Sequence, residues 1–374
     1  MKIVADPNIP FVREAFGALG EIFFVPGRQI AATITRDADL LLIRSVTPVN
    51  SALLDGSHVR FVATATIGTD HVDLDYLRSR GIGFASAAGS NANSVAEYIV
   101  AAMLELARRH KFRLRDKTLG VIGVGNVGSR VVRCAQALGM HVLPNDPPRQ
   151  RAENLPQFVS LKRILAEADI ITTHVPLTRE GPDATFHLFD KDRIAALEAD
   201  RPFLMNTARG VVMENRSLLK AIDGEWIGGV VLDVWENEPN ILTELLDVVD
   251  IGTPHIAGYS FDGKANGVQM IYQAVCSFFG VQPLWKPSLP SPEVPTIELT
   301  VSSGEDEEEV QRRVVRHVYD ITADDAALRA NIRAFDRLRA EYPIRREFFN
   351  TTLVLRGASD SLRSKFSALG FKIG

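Results

Sequence analysis

Short apolar runs separated by helix-length amphipathic stretches recur along the chain, the pattern of parallel strand–helix units rather than of hairpins. In the first ninety residues the runs at 3–5, 22–25, 40–43, 61–65 and 83–86 predict strands, with helices at 11–19, 50–54 and 74–80 between them. A second series at 119–124, 141–145, 169–173, 202–206, 229–234 and 248–251 predicts a six-stranded doubly wound sheet. Two long apolar-faced helices, 91–110 and 263–279, flank that series and mark crossovers between domains. From Pro283 to Pro295 the chain turns proline-rich and reads as an extended linker. Beyond it, strand patterns at 296–301 and 352–355 and helical patterns at 306–319 and 324–341 predict a third, small α/β domain. The acidic run Glu305-Asp306-Glu307-Glu308-Glu309 charges the first turn of a helix.

The second series opens with Leu119-Gly120-Val121-Ile122-Gly123-Val124-Gly125-Asn126-Val127-Gly128, an apolar run ending in Gly-x-Gly-x-x-Gly, followed by a helical pattern over 127–138. Gly123 suits the tight turn, Gly125 lets the backbone approach a pyrophosphate, and Gly128 brings helix and strand together, with the helix N-terminus facing the negative charge. The next strand ends in Asp146, 23 residues after Gly123. A carboxylate there accepts hydrogen bonds from a ribose 2′-OH and repels a 2′-phosphate, which points to NAD rather than NADP. The plain alternative for Asp146 is a turn residue ahead of Pro147 and Pro148. The expected fold class is therefore α/β: a doubly wound parallel-sheet NAD-binding domain over 94–256, a flavodoxin-like substrate domain over 1–93 completed by 257–285, and a small C-terminal α/β domain over 286–374.

Composition narrows the chemistry further. The 374 residues suffice for two or three domains, and 46% hydrophobic with 24% charged content is that of a soluble globular protein. With a net charge of -4, no nucleic-acid or membrane partner is expected, and an anionic substrate must be held by local arginines. The chain starts directly as a strand, has no long apolar run, and carries only Cys134 and Cys276. No disulfide framework or metal site is expected, and the reading is a cytoplasmic protein.

Polar residues cluster just after predicted strands, where open parallel sheets bind ligands. In the first series these are Arg44-Ser45 and Thr66-Ile67-Gly68, a turn able to aim N–H groups at a carboxylate. In the second they are Asn206-Thr207-Ala208-Arg209-Gly210, Asp233-Val234-Trp235-Glu236-Asn237-Glu238 and Thr253-Pro254-His255. Oxidising an alcohol beside a carboxylate needs a base, a cation and a hydride acceptor. His255 fits the base, Glu238 its orienting carboxylate, Arg209 the cation, and Asp233 a holder for the nicotinamide carboxamide.

In order and spacing, the glycine fingerprint, His174-Val175-Pro176-Leu177-Thr178 and these three segments resemble the D-isomer-specific 2-hydroxyacid dehydrogenases over residues 1 to about 280. The resemblance implies catalytic Arg209, Glu238 and His255, and an NAD site lined by Gly123, Gly125, Asn126, Val127, Gly128, Asp146, Thr173, His174, Pro176, Asn206, Thr207, Ala208, Asp233 and Gly258. Trp235, Ile256-Ala257-Gly258-Tyr259-Ser260 and the added C-terminal domain are similar to a branch of the family that oxidises a 4-phosphorylated four-carbon 2-hydroxy acid in vitamin B6 synthesis. That likeness implies substrate contacts from Ser45, Thr66, Ile67, Gly68 and Tyr259, a homodimer through the C-terminal domain, and a reduced cofactor that stays bound until a 2-oxo acid reoxidises it. Arg44 is the cation nearest in sequence for the substrate phosphate. Arg345-Arg346 is read either as a solvated helix end or as reaching a neighbouring subunit's active site. Two alternatives stay open: a relative acting on another phosphorylated 2-hydroxy acid, and a nicotinamide-sensing corepressor or scaffold that reuses the fold.

Overall fold

In the computed structural model, which describes residues 1–197 and 199–374, every pairing between strands is parallel, as the strand–helix alternation requires. The chain divides into two units, Met1–Asn91 with Ser260–Pro290, and Ala92–Tyr259 with Ser291–Gly374.

The first unit holds β1 (Lys2–Ala5), β2 (Glu21–Phe24), β3 (Leu40–Ile43), β4 (Phe61–Thr64) and β5 (Gly83–Ser86) in the order β2-β1-β3-β4-β5. The central strands are apolar throughout because both faces are covered. Ile3, Leu40 and Leu42 pack on Val268, Ile271 and Val275 of the helix Phe261–Phe279. Val4, Leu41 and Ile43 pack on Leu53, Leu54 and Leu77 of the opposite layer. The helix expected over 11–19 is confined to Val12–Phe16. The chain must turn back by Gly20, where a Cβ would lie 2.0 Å from the Met1 carbonyl oxygen. The proline-rich stretch is partly anchored: Trp285 packs edge-on to Tyr272 and beside Phe11, and its amide N–H donates to the Tyr272 hydroxyl.

The second unit holds β6 (Thr118–Ile122), β7 (His141–Asn145), β8 (Ile170–Thr173), β9 (Phe203–Asn206), β10 (Gly229–Leu232) and β11 (Ile251–Gly252) in the order β11-β10-β9-β8-β6-β7. Strand order reverses between β6 and β8, the switch point at which such sheets bind ligands. The strand expected over 248–251 is corrected: Thr243–Val248 is a helix whose Leu245 and Leu246 are buried while Val248 is exposed, and only Ile251–Gly252 pairs. Val248, Val249 and Ile251, all β-branched, mimicked a strand where the helix ends.

The C-terminal residues belong to this unit. β12 (Thr296–Thr300), β13 (Thr352–Arg356) and β14 (Lys372–Ile373) form a three-stranded sheet in that order. Val310, Val314, Phe348, Phe366 and Phe371 share one apolar core with Val95, Ile99 and Met103 of the helix Ala92–His110. The helix expected over 324–341 is instead Ile321–Ala330, a 3-10 turn Ile332–Ala334 and Phe335–Ala340. The break falls at Asn331 and lets Leu328 and Phe335 both reach the core beneath Leu246. The acidic run does open a helix, Glu307–Val318, but its members are individually engaged: Asp306 caps it and pairs with Arg113, Glu308 accepts the Leu114 N–H at 2.9 Å, and Glu307 pairs with Lys365 at 2.7 Å. Arg345 and Arg346 are not a solvated helix end; both are buried. Among the described residues no helix is long and apolar enough to cross a membrane.

Candidate active site

β6 delivers the chain into the glycine turn. Gly123 has a φ of 86°, and a Cβ on it would lie 2.7 Å from the His174 carbonyl oxygen. A Cβ on Gly128 would lie 1.9 Å from the Gly123 carbonyl oxygen, so strand and helix meet only through this glycine. Gly125 is different in kind: a Cβ there meets nothing within 4 Å, and its side faces open space. The helix that follows, Asn126–Ala137, starts at Gly125 without a side-chain cap. An uncapped N-terminus beside an open glycine is the local chemistry a pyrophosphate requires, so these residues fit a dinucleotide.

Asp146 closes the same turn. Its carboxylate accepts the Val124 N–H at 2.8 Å and the Arg149 N–H at 3.0 Å, so it both holds the fingerprint loop and caps the helix Pro147–Glu153. Arg149, which the motif reading missed, donates to the Val124 carbonyl and pairs with Glu153. On the neighbouring loop, the ring of His174 lies between the Thr172 hydroxyl at 3.0 Å and the Thr207 hydroxyl at 3.2 Å. Burial pushes its imidazole down to about 3, so this histidine is neutral and is not the acid–base group. Pro176 leads out of that loop and accepts the Thr185 hydroxyl at 2.6 Å.

Three loops then converge after β9, β10 and β11. Asn206 is fully buried and clamps the first of them. Its amide oxygen accepts the Thr173 hydroxyl and the Ala208 N–H, each at 3.0 Å, and its amide nitrogen donates to the Arg209 carbonyl at 2.9 Å. A Cβ on Gly210 would lie 1.9 Å from the Trp235 carbonyl oxygen, so this glycine lets the Arg209 loop rest on the next one. There, Trp235 donates its indole N–H to the Thr253 carbonyl at 3.0 Å and its backbone N–H to Glu238 at 2.9 Å. Asp233 reaches the third loop: it accepts the Thr253 hydroxyl and the Ile256 N–H at 2.7 Å and the Ala257 N–H at 3.0 Å. Burial raises its carboxyl despite those donors and the nearby His255 charge.

His255 stands where these braces meet. Its Nδ1 lies 2.7 Å from Glu238, leaving Nε2 to face outward, and its backbone holds a φ of 58° that only the 2.7 Å bond from its N–H to the Asp233 carbonyl and the loop contacts sustain. Burial alone would raise the Glu238 carboxyl, but the charge and hydrogen bond of His255, the Trp235 N–H and the charge of Arg339 together hold it below the usual range. A half-buried, ionised carboxylate thus fixes the tautomer and orientation of a partly exposed imidazole, which is the arrangement of a general acid–base pair.

Comparison with known proteins agrees with this geometry. Residues 88–257 match the family model described as D-isomer specific 2-hydroxyacid dehydrogenase, NAD binding domain. The erythronate-4-phosphate dehydrogenase of Chromohalobacter salexigens is 45% identical over 379 residues, covering 100% of this chain and 99% of the relative. That of Edwardsiella ictaluri is 46% identical over 376 residues, covering 99% of each. The chain belongs to the D-isomer-specific 2-hydroxyacid dehydrogenase family. Among solved structures, D-lactate dehydrogenase from Aquifex aeolicus, complexed with NAD and lactic acid, is 26% identical with a TM-score of 0.61, over 75% of this chain and 96% of that one. NAD is the cofactor of this D-2-hydroxyacid dehydrogenase. Residues 288–370 match a domain of unknown function.

The family's remaining expected contacts lie in the first unit. Arg44 follows β3 with its Nε 3.0 Å from the buried Asp6 carboxylate, and Ser45 beside it is exposed. The Thr66 hydroxyl lies 2.7 Å from that of Thr64, which in turn lies 3.2 Å from the His71 ring. Among the described residues the Ile67 and Gly68 N–H groups meet no acceptor within the chain, which leaves two adjacent donors for an anion.

The C-terminal domain touches the catalytic loop directly, which the sequence did not foretell. Arg345 donates to the carbonyls of Ser94 at 3.0 Å and Ala257 at 2.8 Å, with its guanidinium 4.2 Å over the Tyr319 ring. The Ala257 peptide is therefore held on one side by Asp233 and on the other by Arg345. Arg346 donates to Asn350 at 2.8 Å. Gly258 and Tyr259 continue from this pinned peptide, the Tyr259 N–H bonding back to the Ile256 carbonyl at 2.8 Å.

Proposed function

We propose that the protein oxidises the C2 hydroxyl of 4-phospho-D-erythronate to the ketone, giving 2-oxo-3-hydroxy-4-phosphobutanoate, with NAD, as a step of vitamin B6 biosynthesis. The observation that carries this reading is the likeness, over the whole chain including the C-terminal domain, to relatives named erythronate-4-phosphate dehydrogenase. NAD, when bound by the glycine turn, Asp146 and the loops of Thr173 to Pro176, Asn206 to Ala208, Asp233 and Gly258, supplies the hydride acceptor. Nε2 of His255 takes the hydroxyl proton while Glu238 stabilises the imidazolium that forms. Arg209 holds the carboxylate and the developing ketone oxygen, and the Ile67 and Gly68 N–H groups, Thr66 and Ser45 orient the acid. Arg44 supplies one of the cations for the phosphate. The family likeness further supports a cytoplasmic homodimer joined through the C-terminal domain, where Ile344 and Phe349 are exposed apolar side chains. It also supports a reduced cofactor retained until a 2-oxo acid reoxidises it.

The test is to incubate purified protein with 4-phospho-D-erythronate, with and without 2-oxoglutarate, following product and nicotinamide fluorescence, with 3-phosphoglycerate in parallel. Sustained turnover of the erythronate ester that needs the 2-oxo acid is expected. Turnover of 3-phosphoglycerate alone moves the protein to another branch, and turnover of neither leaves a sensing role.

Two further outcomes follow from the site. In Glu238→Gln the carboxylate that holds Nδ1 of His255 at 2.7 Å becomes a neutral amide, so kcat for oxidation is expected to fall about 10-fold. An unchanged kcat removes Glu238 from this role. Asp146→Ser keeps a capping oxygen for the Arg149 N–H but discards the charge. Its preference for NAD over NADP in steady-state kinetics is expected to fall about 10-fold or more, and an unchanged preference shows that Asp146 only shapes the loop.

A further inference from the structure

The helix Phe335–Ala340 of the C-terminal domain carries one cation to the catalytic dyad. The guanidinium of Arg339 lies 5.7 Å from the centre of the Tyr259 ring and 6.0 Å from that of Phe335, is hydrogen-bonded to Tyr259, and acts electrostatically on Glu238. Tyr342 of the same domain meets the other side of Tyr259, ring to ring at 5.9 Å and 82°. The segment that leaves His255 is thus gripped by two residues of the C-terminal domain.

What Arg339 does there is not explained by packing or ion pairing alone. Its nearest ion-pair partner, Asp336, sits one turn back on the same helix at 3.6 Å and is more than half exposed, a weak surface pair. Its Nε is buried with no acceptor, although buried guanidinium donors are ordinarily satisfied. Of the other two arginines of the region, Arg346 donates to Asn350, and Arg345 donates one terminal nitrogen to the Ser94 and Ala257 carbonyls while its Nε and other terminal nitrogen are buried without an acceptor over the Tyr319 ring. Arg339 alone of the three combines a guanidinium edge without an acceptor with a place beside Tyr259 and Glu238.

The substrate supplies the missing acceptor. It has an anion at each end: Arg209 serves the carboxylate, and only two carbons separate the reacting C2 from the phosphate-bearing oxygen on C4. The phosphate of a molecule held against His255 must therefore lie within one side chain's reach of the dyad, and a dianion there needs a desolvated cation with donors in a fork. We propose that Arg339 and the Tyr259 hydroxyl form the substrate's phosphate subsite, so that the C-terminal domain completes the active site of its own chain. This rests on 4-phospho-D-erythronate as substrate and assigns a catalytic-site role to residues 288–370.

The test compares wild type with Arg339→Met and Arg339→Lys in the full-length holoenzyme. KM and kcat are measured for 4-phospho-D-erythronate, and inhibition constants for D-erythronate and inorganic phosphate. In Arg339→Met, KM for the phosphorylated acid and the inhibition constant of phosphate are expected to rise about 10- to 100-fold, while inhibition by D-erythronate stays within about 3-fold, the size of an ordinary context effect. Arg339→Lys, which keeps the charge but not the fork, recovers part of the loss. Equal weakening of all three ligands, or a fall in kcat with KM and phosphate inhibition unchanged, overturns the subsite and leaves Arg339 as a brace for Tyr259 and Glu238. Wild-type protein that does not oxidise 4-phospho-D-erythronate overturns the substrate reading instead, and calorimetric binding of inorganic phosphate to wild type and Arg339→Met then decides the subsite separately.

Discussion

His255→Asn is expected to lower kcat for oxidation by about 10^3-fold while leaving reduced-cofactor affinity nearly unchanged. Asparagine is the informative replacement because it tolerates the left-handed backbone that His255 occupies, φ 58°, better than other residues that cannot take a proton. The Asp233 carboxylate continues to hold the Ile256 and Ala257 N–H groups, so the loop keeps its shape and only the base is lost. Glu238→Gln costs less, since the imidazole remains and a neutral amide can still accept from Nδ1. Because Glu238 acts through His255, the double variant is expected to be no slower than His255→Asn alone. Single-turnover oxidation, with fluorescence titration of the reduced cofactor, measures both effects. A loss below about 10-fold for His255→Asn, well under the usual range for a general base, or losses that multiply in the double variant, would mean that another group takes the proton.

The residues of that dyad were legible in the sequence because each lies just past a buried strand, and parallel sheets present their chemistry at strand ends. The glycine fingerprint was legible for the same reason: its spacing is set by one local turn. Residues whose roles depend on distant partners were not. Asn206 was expected as a cofactor contact, and its spacing gave no sign that its amide also holds Thr173, Ala208 and Arg209 as the clamp that aims the arginine loop. Gly210 gave no signal, because the Trp235 carbonyl that forbids a Cβ there is 25 residues away in sequence. The run at 248–251 misled because β-branched residues were read as a strand where a helix ends. Arg339 and Arg345 read as ordinary charges of a helical stretch; only the shared core of the C-terminal domain and the helix Ala92–His110 brings them to the catalytic loop. Amphipathic periodicity shows that a helix has a buried face but not which element covers it.

The glycine turn offers a test that separates binding from folding within four residues. A methyl on Gly128 must displace the Gly123 carbonyl, since its Cβ would lie 1.9 Å from that oxygen and neither backbone is free to yield. Overpacking of this kind costs about 1–3 kcal/mol, or a fall in Tm of about 1–4 °C at this size. A methyl on Gly125 meets nothing within 4 Å, so Gly125→Ala is expected to unfold within about 1 °C of wild type, the cost of a poorer residue ahead of the helix. Its cost falls on the ligand. The methyl projects into the space that a pyrophosphate must enter to reach the uncapped N–H groups of the helix Asn126–Ala137. With two charge-assisted hydrogen bonds lost or lengthened, affinity for the reduced cofactor is expected to drop about 100-fold. Thermal unfolding of the two variants and fluorescence titration with reduced cofactor measure the contrast. If Gly125→Ala binds the cofactor as well as wild type, the open side of the turn is not the phosphate site. If it loses as much thermal stability as Gly128→Ala, the two glycines answer to the same steric demand, and the division between a glycine kept for the ligand and a glycine kept for the fold is wrong.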